Sequence, residues 1–197
     1  MLIGVAAYLI GIDEAGRGPL AGPVSVGGVL LMPHFDQTLL SGVRDSKQLN
    51  EAAREEWYGR MKSWQQSGLI RFSVQYSSNE VIDRRGIVWA VTSALNRALS
   101  RLDTDPEESL VLLDGGLRAP SHYKRQETII RGDASQPVIA LASIAAKVRR
   151  DRLMKRFASM YPQYGFEIHK GYGTKIHKDA MRTFGLCDIH RRSFCHG

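Results

Sequence analysis

Apolar and polar positions along this chain follow two periods, one close to two residues and one close to 3.6. An apolar run from Leu2 to Ile12 closes on Asp13-Glu14 and the turn Gly16-Arg17-Gly18-Pro19. Such a run, bounded by Gly and Pro, predicts a buried strand ending in a tight turn. Val24 to Met32 predicts a second strand, stopped by Pro33. Glu51 to Gln66 has helix-forming composition behind Asn50 as N-cap. Leu69 to Tyr76 alternates as a strand does, and Ser78 to Arg101 reads as helix in two pieces around Gly86. Leu110 to Leu113 is a short strand ending at Asp114-Gly115-Gly116. Pro137 to Met160 reads as a long helix, small residues first and bases later, stopped by Tyr161-Pro162. Lys175 to Phe184 predicts a short final helix. Strands that come first and then alternate with helices predict an α/β fold with a mixed sheet.

Four acids share one kind of context. Asp13 and Glu14 follow the first strand, Asp114 follows the Leu110–Leu113 strand, and Asp133 precedes the long helix. Neighbours on a strand point to opposite faces, so at least one of Asp13 and Glu14 is pushed inward, where a carboxylate needs a partner or a metal. Sites in α/β sheets form where strand ends meet loops. Several acids gathered there suit a hard divalent cation and metal-assisted phosphate chemistry. Taken singly, Asp114 and Asp133 also read as turn formers or helix caps, while Asp45 reads as an ordinary turn acid and Asp151 as an ordinary acid flanked by Arg150 and Arg152. Gly16-x-Gly18-x-x-Ala21 fits a dinucleotide fingerprint in spacing, but that fingerprint must open a helix, and here Val24-Ser25-Val26 reads as strand.

Charge divides the chain. The net charge is +7 over 197 residues, yet Lys147 to Gly197 holds 12 Lys and Arg against 4 Asp and Glu, while Met1 to Ala146 holds 15 against 16. A basic final third is the electrostatic footprint of a polyanion-binding face. Within it, Tyr164 to His177 interleaves aromatics, glycines and bases, which suits phosphate contact and ring stacking. Cys187 and Cys195 match no metal or redox spacing and read as reduced thiols of a cytoplasmic protein. No apolar run approaches the roughly 20 residues that span a membrane. No linker, repeat or low-complexity tract divides the chain, so residues 1–197 are expected to form one domain.

Together these pieces resemble ribonuclease HII, in its bacterial form. The resemblance rests on Gly11 to Pro19, Asp45 to Leu49, Leu113-Asp114-Gly115, Gly132-Asp133, Ala142 to Asp151, His169 to Thr174 and His190 to Phe194, which occur in the family's order nearly end to end. It implies an RNase H-like fold, a central mixed sheet flanked by helices, with residues 161–197 as a small, basic, helical C-terminal part that binds substrate. It implies an endoribonuclease that cleaves the RNA strand of RNA/DNA hybrids and cuts 5′ to single ribonucleotides in duplex DNA, leaving 3′-hydroxyl and 5′-phosphate ends. Asp13, Glu14, Asp114 and Asp133 match the acids that hold two Mg²⁺ or Mn²⁺ ions, with Asp13 the candidate bridging ligand. Gly16, Arg17 and Gly18 match the turn that contacts the ribose 2′-hydroxyl, Tyr172 the tyrosine that stacks on the following sugar, and Lys47 a phosphate-contacting lysine. The family suggests a monomer, and no clamp-binding tail is evident. Ala140-Leu141-Ala142 departs from the family's run of small residues, and Gln136-Pro137 opens the long helix unusually. A binding module without catalysis, or a phosphohydrolase acting on small phosphates, would each explain only one half of the chain.

Overall fold

A computed structural model describes residues 7–43 and 49–195, so Leu2 to Ala6 and the segment holding Asp45 and Lys47 lie outside the described residues. Strands β1 (Tyr8–Ala15), β2 (Val24–Leu31), β3 (Ile70–Ser77), β4 (Ser109–Asp114) and β5 (Arg125–Ile129) form one sheet in the order β3-β2-β1-β4-β5. β2 pairs antiparallel with both β1 and β3, whereas β1, β4 and β5 run parallel. The helices are α1 (Glu51–Gln66), α2 (Asn79–Arg85), α3 (Ile87–Leu102), α4 (Gly132–Ser135), α5 (Pro137–Met160), α6 (Phe166–His169) and α7 (Lys175–Phe184).

Every residue of β2 is buried, because helices cover both faces of the sheet. On one face Ile10, Ile12, Val24, Val26 and Leu30 pack against Ala90 to Leu102 of α3. On the other, Val29 and Leu31 meet α1 and the first half of α5. A smaller cluster of Met154, Ala158, Tyr164, Phe166 and Ala180 joins the end of α5 to the C-terminal segment.

Local chemistry sets the helix boundaries. The Asn50 side chain accepts from the Ala53 N–H at 2.9 Å at the head of α1. Gly86 at φ 81° separates α2 from α3. Pro137 sits in the first turn of α5, where its missing N–H costs nothing. One expectation is corrected, and one strand is added that the sequence reading did not name. β1 continues through Asp13 and Glu14, because Gly27 and Val26 of β2 still pair with them, so the two acids lie within the strand rather than after it. β5 escapes an apolar-pattern reading because Arg125-Gln126-Glu127-Thr128-Ile129 is an edge strand with a single apolar residue.

Gly11 of β1 and Gly27 of β2 bring α5 directly onto the sheet. A Cβ at Gly11 would stand 2.4 Å from the Val138 carbonyl, and one at Gly27 2.2 Å from the Ala142 oxygen, both backbone atoms. Gly27→Ala is therefore expected to destabilise the fold by about 1–3 kcal/mol, as overpacking does. Gly59→Ala, in the middle of α1 with nothing within 4 Å of the new methyl, is expected to stabilise it by about 0.5–1 kcal/mol. Urea unfolding of both variants checks the opposite signs; equal effects would refute the close-packing account.

Candidate metal centre

Three parallel strands end side by side, and their ends carry the acids. Ile12 of β1 pairs with Leu113 of β4, which puts Asp13 next to Asp114. Asp114 pairs with Ile129, the last residue of β5, from which Ile130 and Arg131 lead to Gly132 and Asp133. One carboxylate oxygen from each of Asp13, Asp114 and Asp133 lies within 4.8 Å of the others. Asp13 and Asp133 are buried and Asp114 is half-buried.

Each carboxylate has its own tether. Asp13 accepts the Glu14 N–H at 2.7 Å and a hydrogen bond from the Ser143 hydroxyl of α5. Asp114 Oδ1 accepts from the N–H of Gly132 at 2.7 Å and of Asp133 at 3.4 Å, so the end of β4 holds the start of α4. Asp114 thus does act as a local tether, as an isolated acid after a strand can, while also standing in the cluster. Glu14 lies beside the trio: its Oε1 pairs with Arg17 Nη1 at 3.2 Å. That half-exposed pair is worth at most about 1 kcal/mol.

Burial pushes the Asp13 carboxyl well above the usual carboxylate range, and the neighbouring Glu14 and Asp114 charges push the same way. Burial also raises Glu14, against the pull of Arg17. Like charges held together in a dry site favour a cation among them. An all-oxygen donor set suits Mg²⁺ or Mn²⁺ rather than a soft metal. Asp13, Asp114 and Asp133 therefore fit a divalent ion, while Glu14, turned to Arg17, falls outside that close group.

The Gly16–Gly18 turn follows β1 directly, with Gly16 at φ 88° and Arg17 and Gly18 exposed. Tyr172 is 43% exposed, and the Lys147 ammonium and Arg150 guanidinium each stand 6.0 Å from its ring centre. The loop carrying Tyr172 packs on the segment after the turn, where Leu20 N–H donates to the Gly171 carbonyl at 2.8 Å. Beneath it lies a histidine chain. His177 Nδ1 faces the Tyr172 carbonyl at 3.0 Å and so carries the proton; His177 Nε2 then accepts from His190 Nε2–H at 3.0 Å, and His190 Nδ1 accepts the Cys187 N–H at 2.9 Å. Lys47 lies outside the described residues.

Three side chains went unread in the sequence. Ser143 reaches Asp13. Arg150 and Arg191 are fully buried. Asp151, read as an ordinary acid between two arginines, is buried too, with Lys147 Nζ at 2.8 Å. The available signal was helical spacing: Ser143, Ala146, Arg150 and Met154 fall on one stripe of α5, which marks Arg150 as facing inward.

Two outcomes follow. Because its raised pKa makes the charged form of Asp13 unfavourable in the folded state, stability falls as pH rises past the ordinary carboxylate range. Asp13→Asn should raise the Tm of the metal-free protein at neutral pH and abolish the further rise that Mg²⁺ or Mn²⁺ gives the wild type; a lower metal-free Tm, or an undiminished metal response, contradicts the assignment. Burial pulls His177 from the ordinary 6.5 down to about 4. Unfolded chains then take up a proton that the folded protein refuses, and stability is lost as pH falls from 6.5 toward 4. An imidazole titration followed by NMR checks this, and a His177 midpoint near 6.5 would contradict it.

Residues 10–197 match the family model described as Ribonuclease HII. The chain is 45% identical over 184 residues to a Ribonuclease HII of Endomicrobium trichonymphae, covering 93% of this chain and 83% of that one. It is 42% identical over 186 residues to a Ribonuclease HII of Coxiella burnetii, covering 94% and 87%. Among solved structures, the PCNA:RNase HII complex from Archaeoglobus fulgidus contains a chain that superposes with a TM-score of 0.76 at 24% identity, covering 96% of both chains, a likeness of fold.

Proposed function

The chain belongs to the ribonuclease HII family, and we propose that it cleaves the RNA strand of RNA/DNA hybrids and cuts duplex DNA 5′ to a single embedded ribonucleotide. As a family member it is a ribonuclease H, an endonuclease hydrolase, and ribonucleases H act on RNA/DNA hybrids with divalent metal. The observation that carries the finer reading is that Asp13, Asp114 and Asp133 converge beside the turn whose Arg17 and Gly18 are exposed, with the exposed Tyr172 on a loop that packs on the segment after that turn.

In this reading Asp13, Glu14, Asp114 and Asp133 would hold two Mg²⁺ or Mn²⁺ ions, with Asp13 the candidate shared ligand; ions bound there would lower the pKa of a water and stabilise a departing 3′-oxygen, leaving 3′-hydroxyl and 5′-phosphate ends. The protein's own groups do the positioning. The Ser143 hydroxyl and the Glu14 N–H fix the Asp13 carboxylate, and the Gly132 N–H fixes Asp114, so the donors are oriented before substrate arrives. Gly16, Arg17 and Gly18 meet the ribose 2′-hydroxyl, the group that distinguishes RNA from DNA. Tyr172 stacks on the sugar that follows, and the basic final third, with Lys47, tracks phosphates, so affinity falls with salt. The unbonded Cys187 and Cys195 support action in a reducing compartment, the cytoplasm, and we read the enzyme as a monomer. Among the described residues no helix is long and apolar enough to cross a membrane.

Incubation with Mg²⁺ and an end-labelled duplex carrying one ribonucleotide tests the reading. A single cut on the 5′ side is expected, absent on an all-DNA duplex and absent with Asp133→Asn. Binding without any cut, in Mg²⁺ or Mn²⁺, would point instead to a binding module. Tyr172→Ala should cost about tenfold or more at the single ribonucleotide, as lost stacking does, and less on long hybrids; equal losses would contradict the junction role.

A further inference from the structure

Arg191, in the C-terminal His190-Arg191-Arg192 segment, is a fully buried cation with no carboxylate partner among the described residues. Its three donors end on backbone carbonyls instead: Nε on Gly22 at 2.9 Å, Nη1 on Arg17 at 2.9 Å and Nη2 on Gly16 at 2.6 Å. Arg150 bonds in the same manner to Pro23, Lys170 and Ala21. A Cβ on Gly16 would stand 2.0 Å from Arg150 Nε, so the turn is fitted onto the two guanidiniums.

In a planar trans peptide the C=O and the following N–H point to opposite sides. Pinning the Gly16 and Arg17 carbonyls on Arg191 therefore turns the Arg17 and Gly18 N–H groups the other way, on the exposed side of the turn. No described group accepts from either N–H. The result is a pair of adjacent donors beside Glu14 and the acid cluster. Only a planar fork can hold neighbouring carbonyls in this way, because an ammonium is a point charge on a flexible stem.

We propose that Arg191 is a positioning residue: its guanidinium locks the Gly16–Arg17 carbonyls inward, so that the Arg17 and Gly18 N–H groups form a rigid donor pair for the oxygen of a ribose 2′-hydroxyl. The proposal rests on the ribonuclease reading above and adds to it the residue that sets the discriminating turn. The segment holding Arg191 is anchored for the task. Its N–H donates to the Leu20 carbonyl at 2.8 Å, and Asp83 of α2 accepts from the N–H groups of Arg192 and Ser193 at 2.9 and 3.0 Å.

The test compares full-length wild type, Arg191→Lys and Arg191→Ala on a duplex with one ribonucleotide and on an all-DNA duplex. Arg191→Lys keeps the charge and should lose about 10²-fold in kcat/KM on the ribonucleotide duplex, the scale of a small misplacement. Affinity for all-DNA duplex, measured in EDTA, should stay unchanged, so the preference for ribonucleotide collapses. Millimolar guanidinium should restore turnover to Arg191→Ala where the same concentration of methylammonium does not. Wild-type kcat/KM in Arg191→Lys overturns the proposal, and so does a parallel loss of affinity for both duplexes, which marks a purely structural role. If Arg191→Ala does not fold, the lysine variant decides alone. A wild type that cuts neither duplex refutes the ribonuclease reading itself and the proposal with it, a failure distinct from a wild type that cuts beside an unaffected Arg191→Lys.

Discussion

The contact on which the structure depends is backbone against backbone, where α5 lies on β1 and β2 at Gly11 and Gly27. Asp13 pairs directly with Gly27 across the strands. With no side chain at Gly27, Ala142 of α5 comes down onto the sheet, and the next residue, Ser143, reaches Asp13. At the head of the same helix Val138 rests on Gly11, and Asp133 lies one short turn earlier. Further along, Arg150 gathers the carbonyls of Ala21, Pro23 and Lys170. One helix thus sets the distance from Asp13 to Asp133, orients Asp13, and ties the loop of Tyr172 to the turn after β1. Ser25, whose hydroxyl donates to the Ala146 carbonyl at 3.1 Å, extends the same seam by one turn.

Such a frame is needed because its cargo opposes folding. Three carboxylates held within 4.8 Å, two of them buried, repel one another and resist desolvation. Two buried arginines satisfied by carbonyls alone add further desolvation cost, and burial accordingly pulls Arg150 and Arg191 below the ordinary arginine range. Groups that destabilise the protein are retained where they serve the site, and the surrounding core must outweigh them. Here the weight comes from a sheet covered on both faces and from a long helix packed tightly by small residues.

Much of this was legible in the chain. Asn50, Gly86 and Pro137 marked helix boundaries by local chemistry, and local chemistry is what a sequence carries. Asp13, Glu14 and Asp114 could be picked out because each stands where an apolar run stops, and Asp133 because it precedes the long helix. The convergence of Asp13, Asp114 and Asp133 could not be derived in that way, since it depends on the parallel pairing of β1, β4 and β5, and β5 has one apolar residue in five. Arg150 and Arg191 were hidden for a related reason. A cation in a basic stretch reads as solvated surface, and only the helical stripe of Ser143, Ala146 and Met154 hints otherwise. Arg191 carries no such hint, because its partners are backbone carbonyls nearly the whole chain away. Leu141 is fully buried in the cluster beneath the sheet.

The central claim is that Asp13, Asp114 and Asp133 form a preorganised divalent-metal site. A crystal soaked in Mn²⁺ and measured at the manganese edge tests it most directly. The account predicts anomalous density in contact with all three carboxylates, with Gly27 and Ala142 still in close approach. Manganese bound elsewhere, or a trio that scatters its side chains in the loaded crystal, would contradict it.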